Sequence, residues 1–239
     1  MDHRGLYKFA GRCALGYAAV WLASYAAWIY GSGFLAASAS PPTPDQLVQL
    51  AQAPGNQLSA RLDIISYFLL IPALLGIFAY LLDRVPGRAM LGGAFAGLAV
   101  LALFGASAIN VTVMTLGHGP VTELLRNRLE TLSLLSGSFM MPGLYAMAMS
   151  NASWGLALWR ETGHARMVGN LLLLQVAGFL LATAGFIGAS DVVGNLGILA
   201  QVLAGTATFA LAGWWLRGMS DQPPVTAPNE RPRAAGASA

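Results

Sequence analysis

Residues 64–82 read IISYFLLIPALLGIFAYLL, an uncharged run closed by Asp63 on one side and by Asp83 and Arg84 on the other. A membrane-crossing helix needs about 20 mostly apolar residues, because the hydrocarbon layer is about 30 Å thick and each helical residue rises about 1.5 Å. The run is too long for a barrel strand and does not alternate with period 2, so in lipid its backbone must satisfy itself as a helix. Working outward, five more such segments follow: 13–37 after Arg12, 89–116 after Arg88, 131–159 between Glu130 and Arg160, then 167–190 and 192–216. The expected fold is therefore all-α, a polytopic transmembrane bundle of six helices over residues 1–218. Residues 219–239 contain QPPVTAPNERPRAAGASA, a composition of the disordered type, and are expected to form a cytoplasmic tail.

Composition agrees. The 239-residue chain is 56% hydrophobic and 10% charged, against about 25% charged in soluble domains. Its charges cluster between the apolar runs. With a net charge of +3 and no basic stripe interleaved with aromatics, nothing supports nucleic-acid binding. Cys13 is the only cysteine, which excludes an intrachain disulfide. No Cys/His set has metal-ligand spacing, so no metal and no cofactor is expected.

Lys and Arg set the orientation. Arg4, Lys8, Arg12, Arg84, Arg88, Arg160, Arg166, Arg217, Arg231 and Arg233 fall on one side, and Arg61, Arg126 and Arg128 on the other. Ten against three places the first set, and both termini, in the cytoplasm, which requires an even number of spans. The basic start, apolar run and LAASAS at 35–40 also fit a cleaved signal. The length of that run and its Trp21, Tyr25, Trp28 and Tyr30 favour a retained first span. On the outer side PDQLVQLAQA (44–53) suits a short interfacial helix. Val121, Leu124, Leu125, Leu129 and Leu132 recur at helical spacing, as an amphipathic turn or two resting on the headgroups before span four. Short connections make spans two and three, and four and five, antiparallel neighbours. The similarity of 84–93 to 160–170 admits a duplicated hairpin, although any positive-inside hairpin looks alike.

Candidate chemistry is sparse. Pro72 and Pro142 fall inside spans and are expected to kink them. Trp28 and Tyr30 at one level, and Trp159, Trp214 and Trp215 at the other, read as interface belts. Small residues repeat at Ala19, Ala23 and Ala27, at Gly93 and Gly97, and at Ala200, Ala204, Thr208 and Ala212, the spacing that lets membrane helices approach closely. Gly93 and Gly97 serve either packing within the bundle or a homodimer. No ionised group is placed well inside a span, which argues against proton relays and ion coupling. Asp63 is read as opening span two, where a carboxylate suits the helix N-terminus, or as part of an outer rim site. The remaining candidates are amides and a phenol: Asn110, Asn151, Gln175, Gln201 and Tyr145. Either they form interhelical hydrogen bonds, Asn151 with Gln175 and Asn110 with Gln201, or they line a polar ligand pocket. Span four, with Ser133, Ser136, Ser138, Ser150 and Ser153 around Pro142, is the most polar. His3, His118 and His164 all lie at or beyond span ends, so no base stands at membrane depth beside a serine. H-E-x-x-H and phosphate-loop signatures are absent. The catalytic set is empty.

The stretches FAGRCALGYAAVW (9–21) and SARLDIISYFLLIPALLGIFAYLLDR (59–84), with a long outer loop between them, resemble a family of bacterial six-span membrane proteins known only as a domain of unknown function. The resemblance implies a bacterial plasma-membrane location and no activity or site residues. The expected protein is non-enzymatic, embedded in the lipid bilayer, and acts as a small-solute carrier or accessory subunit. An intramembrane enzyme with an unrecognised site, or a sensor of outer-face ligands, are the alternatives. The substrate is not legible.

Overall fold

The computed structural model describes residues 4–32, 43–117, 119–188 and 190–220. Seven helices follow one another: α1 (Arg4–Ser32), α2 (Pro44–Gln52), α3 (Pro54–Leu82), α4 (Pro86–Leu116), α5 (Glu123–Leu158), α6 (Gly163–Ile187) and α7 (Asp191–Ser220). All but α2 are long and apolar enough to cross a membrane. The chain is an all-α, multi-pass integral membrane protein. His3, LAASAS, His118 and the tail from 221 on, with Arg231 and Arg233, lie outside the described residues.

Local chemistry sets the helix starts. Pro44, Pro54 and Pro86 each stand in a first turn, where a missing N–H is no loss. Thr43 caps α2 in a capping box with Gln46, and the Thr122 hydroxyl accepts from the Leu125 N–H at 3.2 Å to open α5. Between α5 and α6 the chain reverses at Gly163, whose φ of 60° is a left-handed conformation that suits glycine. α3 and α5 remain helical through Pro72 and Pro142.

The spans form a closed ring. α1 packs on α3, α3 on α4, α4 on α5, α5 on α6, α6 on α7, and α7 returns to α1. Lipid supplies no hydrophobic force between apolar helices, so close backbone approach and dispersion must hold the ring. Glycines provide it. A Cβ at Gly11 would lie 2.7 Å from the Gly213 carbonyl oxygen, joining α1 to α7, and one at Gly178 would lie 2.9 Å from the Gln201 nitrogen, joining α6 to α7. Gly197 meets the backbone of Ala182, and Gly55 that of Ala27 and Gly31, more closely still. Ala204, Thr208 and Ala212 are buried on α7 as their spacing suggests. Ala19 and Ala23 are exposed: α1 turns Ala10, Ala14, Tyr17 and Ala18 inward instead.

The two ends of the bundle differ. At the end carrying Arg4 and Ser220, here the terminal end, one apolar core joins Tyr17, Leu70, Ile77, Leu81, Trp154, Leu158, Leu172, Phe209 and Leu216. Tyr17 and Phe209 meet edge-on at 4.6 Å. Tyr80 belongs to the same core, and its hydroxyl donates to Glu161 at 3.3 Å. Arg84 lies 3.8 Å over the Tyr80 ring, clasping the α3–α4 turn to the α5–α6 turn. At the opposite end, the α2 end, Leu47, Val48 and Ala51 of α2 pack on Val113 of α4 and on Leu125 and Leu129 of α5. The Asp45–Arg126 ion pair at 3.0 Å fastens α2 from outside.

Two expected boundaries are corrected. The amphipathic stretch before span four is the first part of one 36-residue helix, about 54 Å long at 1.5 Å per residue. Its Leu125 and Leu129 rest on α2 rather than on headgroups, because α2 offers them an apolar face. The helix that carries span two begins at Pro54 rather than at Asp63, because the segment 54–63 has helical geometry and a Pro start. Asp63 therefore lies about 13 Å inside α3 and does not serve its N-terminus.

Candidate functional site

The extension of α3 creates a polar stripe. Asn56, Ser59, Asp63, Ser66 and Tyr67 recur at helical spacing on one face. Asn56 Nδ2 donates to the Leu50 carbonyl at 3.0 Å, and its Oδ1 accepts from Ser32 at 3.2 Å, so it ties α2 and α1 to α3. Below it the Ser24 hydroxyl of α1 donates to Asp63 Oδ1. Ser24 Oγ also lies 3.0 Å from Ser59 Oγ and 3.2 Å from the Ser59 carbonyl oxygen. A hydroxyl has one proton to donate, so Ser24 serves Asp63 and Ser59 alternately, or serves Asp63 while accepting from Ser59. Ser66 Oγ donates to the Asp63 carbonyl at 2.7 Å. Tyr67 stands beside Ser107 of α4, which brings α4 to the junction of α1 and α3.

Asp63 is partly buried there. Among the described residues no Arg, Lys or His pairs with it. The titratable groups within electrostatic reach are Tyr17 and Tyr67. This corrects the reading of Asp63 as the residue that opens the helix of span two. The periodicity of Asn56, Ser59, Asp63 and Ser66 carries the signal, but a charge-bounded apolar window treats Asp63 as an edge and stops short of it.

A second polar group crosses α5, α6 and α7. Asn151 Nδ2 donates to Gln175 Oε1 at 3.3 Å, Gln175 Nε2 donates to Thr208 Oγ1 at 2.8 Å, and Thr208 donates to the Ala204 carbonyl at 2.6 Å. All three side chains are buried. The structure thus brings Asn151 and Gln175 together. It does not bring Asn110 to Gln201. Asn110 Oδ1 accepts from Ser136 of α5 at 2.7 Å, because the ring places α4 beside α3 and α5 and away from α7. Gln201 sits at the α6–α7 seam, its backbone against Gly178. Tyr145 is 52% exposed and meets Phe179 edge-on at 5.0 Å, on the outside of the ring.

The serines of α5 divide their roles. Ser138 bonds back to the Leu134 carbonyl of its own helix at 2.9 Å, whereas Ser153 donates to the Arg88 carbonyl of α4 at 3.0 Å. Among the described residues the buried Ser150 hydroxyl has no hydrogen-bond partner. Gly93 is filled by the ring of Phe78, while Gly97 opens on an apolar groove of about 480 Å³ between α3 and α4, floored by Trp154. Among the described residues no three His, Cys, Asp or Glu side chains are grouped to hold a metal.

Comparison with protein-family models, with curated proteins and with solved structures finds no match to this chain.

Proposed function

We propose that this is a non-catalytic six-span protein of a bacterial plasma membrane, both termini in the cytoplasm, that carries a small polar solute through a site at its α2 end. The orientation is supported by the ten-to-three partition of Lys and Arg, and the location by the resemblance of 9–21 and 59–84. The observation that carries the function is Asp63. A carboxylate inside a long apolar helix, bonded to a hydroxyl of the neighbouring helix and, among the described residues, paired with no base, marks a solute or ion path more often than a packing position. Asn151 and Gln175 make a poorer site, because they bond to each other and to Thr208.

An outer-face sensor is the second reading. One observation favours it: the core at the terminal end is filled, so the Asp63 cluster is reached from the α2 end. Thiol accessibility separates the two. With Cys13→Ala as background, Ser59→Cys is treated with a membrane-impermeant maleimide in right-side-out and in inverted vesicles. A carrier alternates its access, so labelling from both sides is expected; labelling from the outside alone removes the carrier and leaves the sensor.

A further inference from the structure

Among the described residues the Asp63 cluster has no counter-charge. The carboxylate accepts from Ser24 of α1, which also contacts Ser59; Tyr17 of α1 and Tyr67 of its own helix lie within electrostatic reach, and Ser66 bonds to the Asp63 main-chain carbonyl rather than to the carboxylate. None of these is basic. Arg61 is the nearest cation in sequence, but it is exposed and lies beside Gln57 and Thr115 at the surface. Arg126 is engaged by Asp45 of the α2 cap. A carboxylate partly buried between helices is costly to keep uncompensated. Asp63 also lies about 30 Å along α3 from Asp83, close to the full thickness of the hydrocarbon layer. That puts it at the far edge of the layer, within reach of the α2 end.

The groups gathered around the Ser24 hydroxyl are all oxygens: Asp63 Oδ1, the Ser59 hydroxyl and the Ser59 carbonyl each lie within hydrogen-bond distance of Ser24 Oγ. Hydroxyl, carbonyl and carboxylate oxygens suit hard cations, and the site offers no sulfur or imidazole to a softer metal. One negative charge in the set matches one positive charge in the ligand. We infer that Asp63, Ser24 and Ser59 form a binding site for a small inorganic monocation, H⁺ or Na⁺, entered from the α2 end. The bound cation ties α1 to α3, since Ser24 comes from one helix and Asp63 and Ser59 from the other. The site rests on reading the Asp63 cluster as functional, and it does not require that the protein transports.

The test measures thermal unfolding of the purified full chain in nanodiscs. A ligand that binds the folded state alone raises the melting temperature as its concentration rises through the dissociation constant. In one arm NaCl replaces choline chloride at fixed ionic strength and pH; in the other the pH is lowered without Na⁺. A melting temperature that climbs with Na⁺ identifies Na⁺, and one that climbs only on acidification identifies the proton. In either case Asp63→Asn, neutral and nearly isosteric, is expected to abolish the dependence. Ser24→Ala with Ser59→Ala keeps the charge and is expected to shift the midpoint several-fold, which decides the matter if Asp63→Asn does not fold. A wild-type protein indifferent to both cations, or variants that respond as wild type does, overturns the site. One-sided labelling of Ser59→Cys together with a cation response would remove the carrier and leave the cation site standing, so the two failures are distinguishable.

Discussion

Gln175 engages both ends of its amide inside the bundle, receiving from Asn151 and donating to Thr208. Hydrogen bonds between membrane helices are worth roughly 0.6–2 kcal/mol each, so Gln175→Leu is expected to destabilise the folded protein by about 1–3 kcal/mol in steric trapping or denaturant titration. In a double-mutant cycle Asn151→Ala and Gln175→Ala should couple, and Asn110→Ala and Gln201→Ala should not. Coupling of Asn110 to Ser136 should replace it. The sequence makes the first pair legible because both amides stand at similar depth in consecutive spans. Depth says nothing about neighbours around a ring, so the second pair, equally matched in depth, belongs to helices that do not pack together. Asp63 was hidden for a different reason. In sequence a charge bounds an apolar run, so a charge that lies inside a helix reads as its end.

At the scale of the element, glycines with the same identity play opposite parts. Gly97 has nothing within 4 Å of a Cβ, whereas a Cβ at Gly197 would press into the backbone of Ala182 on α6. Alanine is better than glycine in a helix by about 0.8–1 kcal/mol. Gly97→Ala is therefore expected to be neutral or mildly stabilising. Gly197→Ala must separate two backbones, and overpacking costs about 1–3 kcal/mol or more. Comparison of their thermal midpoints checks the contrast, and equal midpoints would deny the α6–α7 seam. The G-x-x-x-G pair at Gly93 is easily read from spacing. Which helix fills it, Phe78 of α3 in this case, depends on the pairing of spans and cannot be read from spacing.

The α2 cap gives a second contrast. Leu129 is fully buried between α5 and α2, and truncating a buried leucine costs about 2–5 kcal/mol. The Asp45–Arg126 pair is largely exposed, and such pairs contribute about 0–1 kcal/mol. Leu129→Ala is expected to raise amide hydrogen exchange across Pro44–Gln52, and Arg126→Ala to leave it nearly unchanged. Equal exchange in the two variants would mean that the cap is held by charge. Residues 44–53 were recognisable as a helix from their composition. Their seat against α4 and α5 was not, because the partner leucines sit some eighty residues away in a stretch that reads equally well as an interfacial segment.

For the whole molecule, the six spans and their order were legible because lipid makes length and polarity decisive. The ring was not, since apolar helices of similar composition pair by shape. Orientation is testable directly: reporter fusions at Gly87 and Gly163, in the α3–α4 and α5–α6 turns, are expected to be active only in the cytoplasm. A fusion active outside would reverse the molecule.

Closure of the ring through α1 and α7 has a consequence for biosynthesis. Of the six spans α1 leaves the ribosome before the other five, and the one it must meet through Gly11 and Tyr17, with Gly213 and Phe209 opposite, leaves it after them. Throughout translation one flank of α1 stays bare to lipid or to an insertion chaperone. A chain stopped before 191 would keep five spans and still lack both of α7's seams, so premature termination should yield a product marked for degradation rather than a smaller stable bundle.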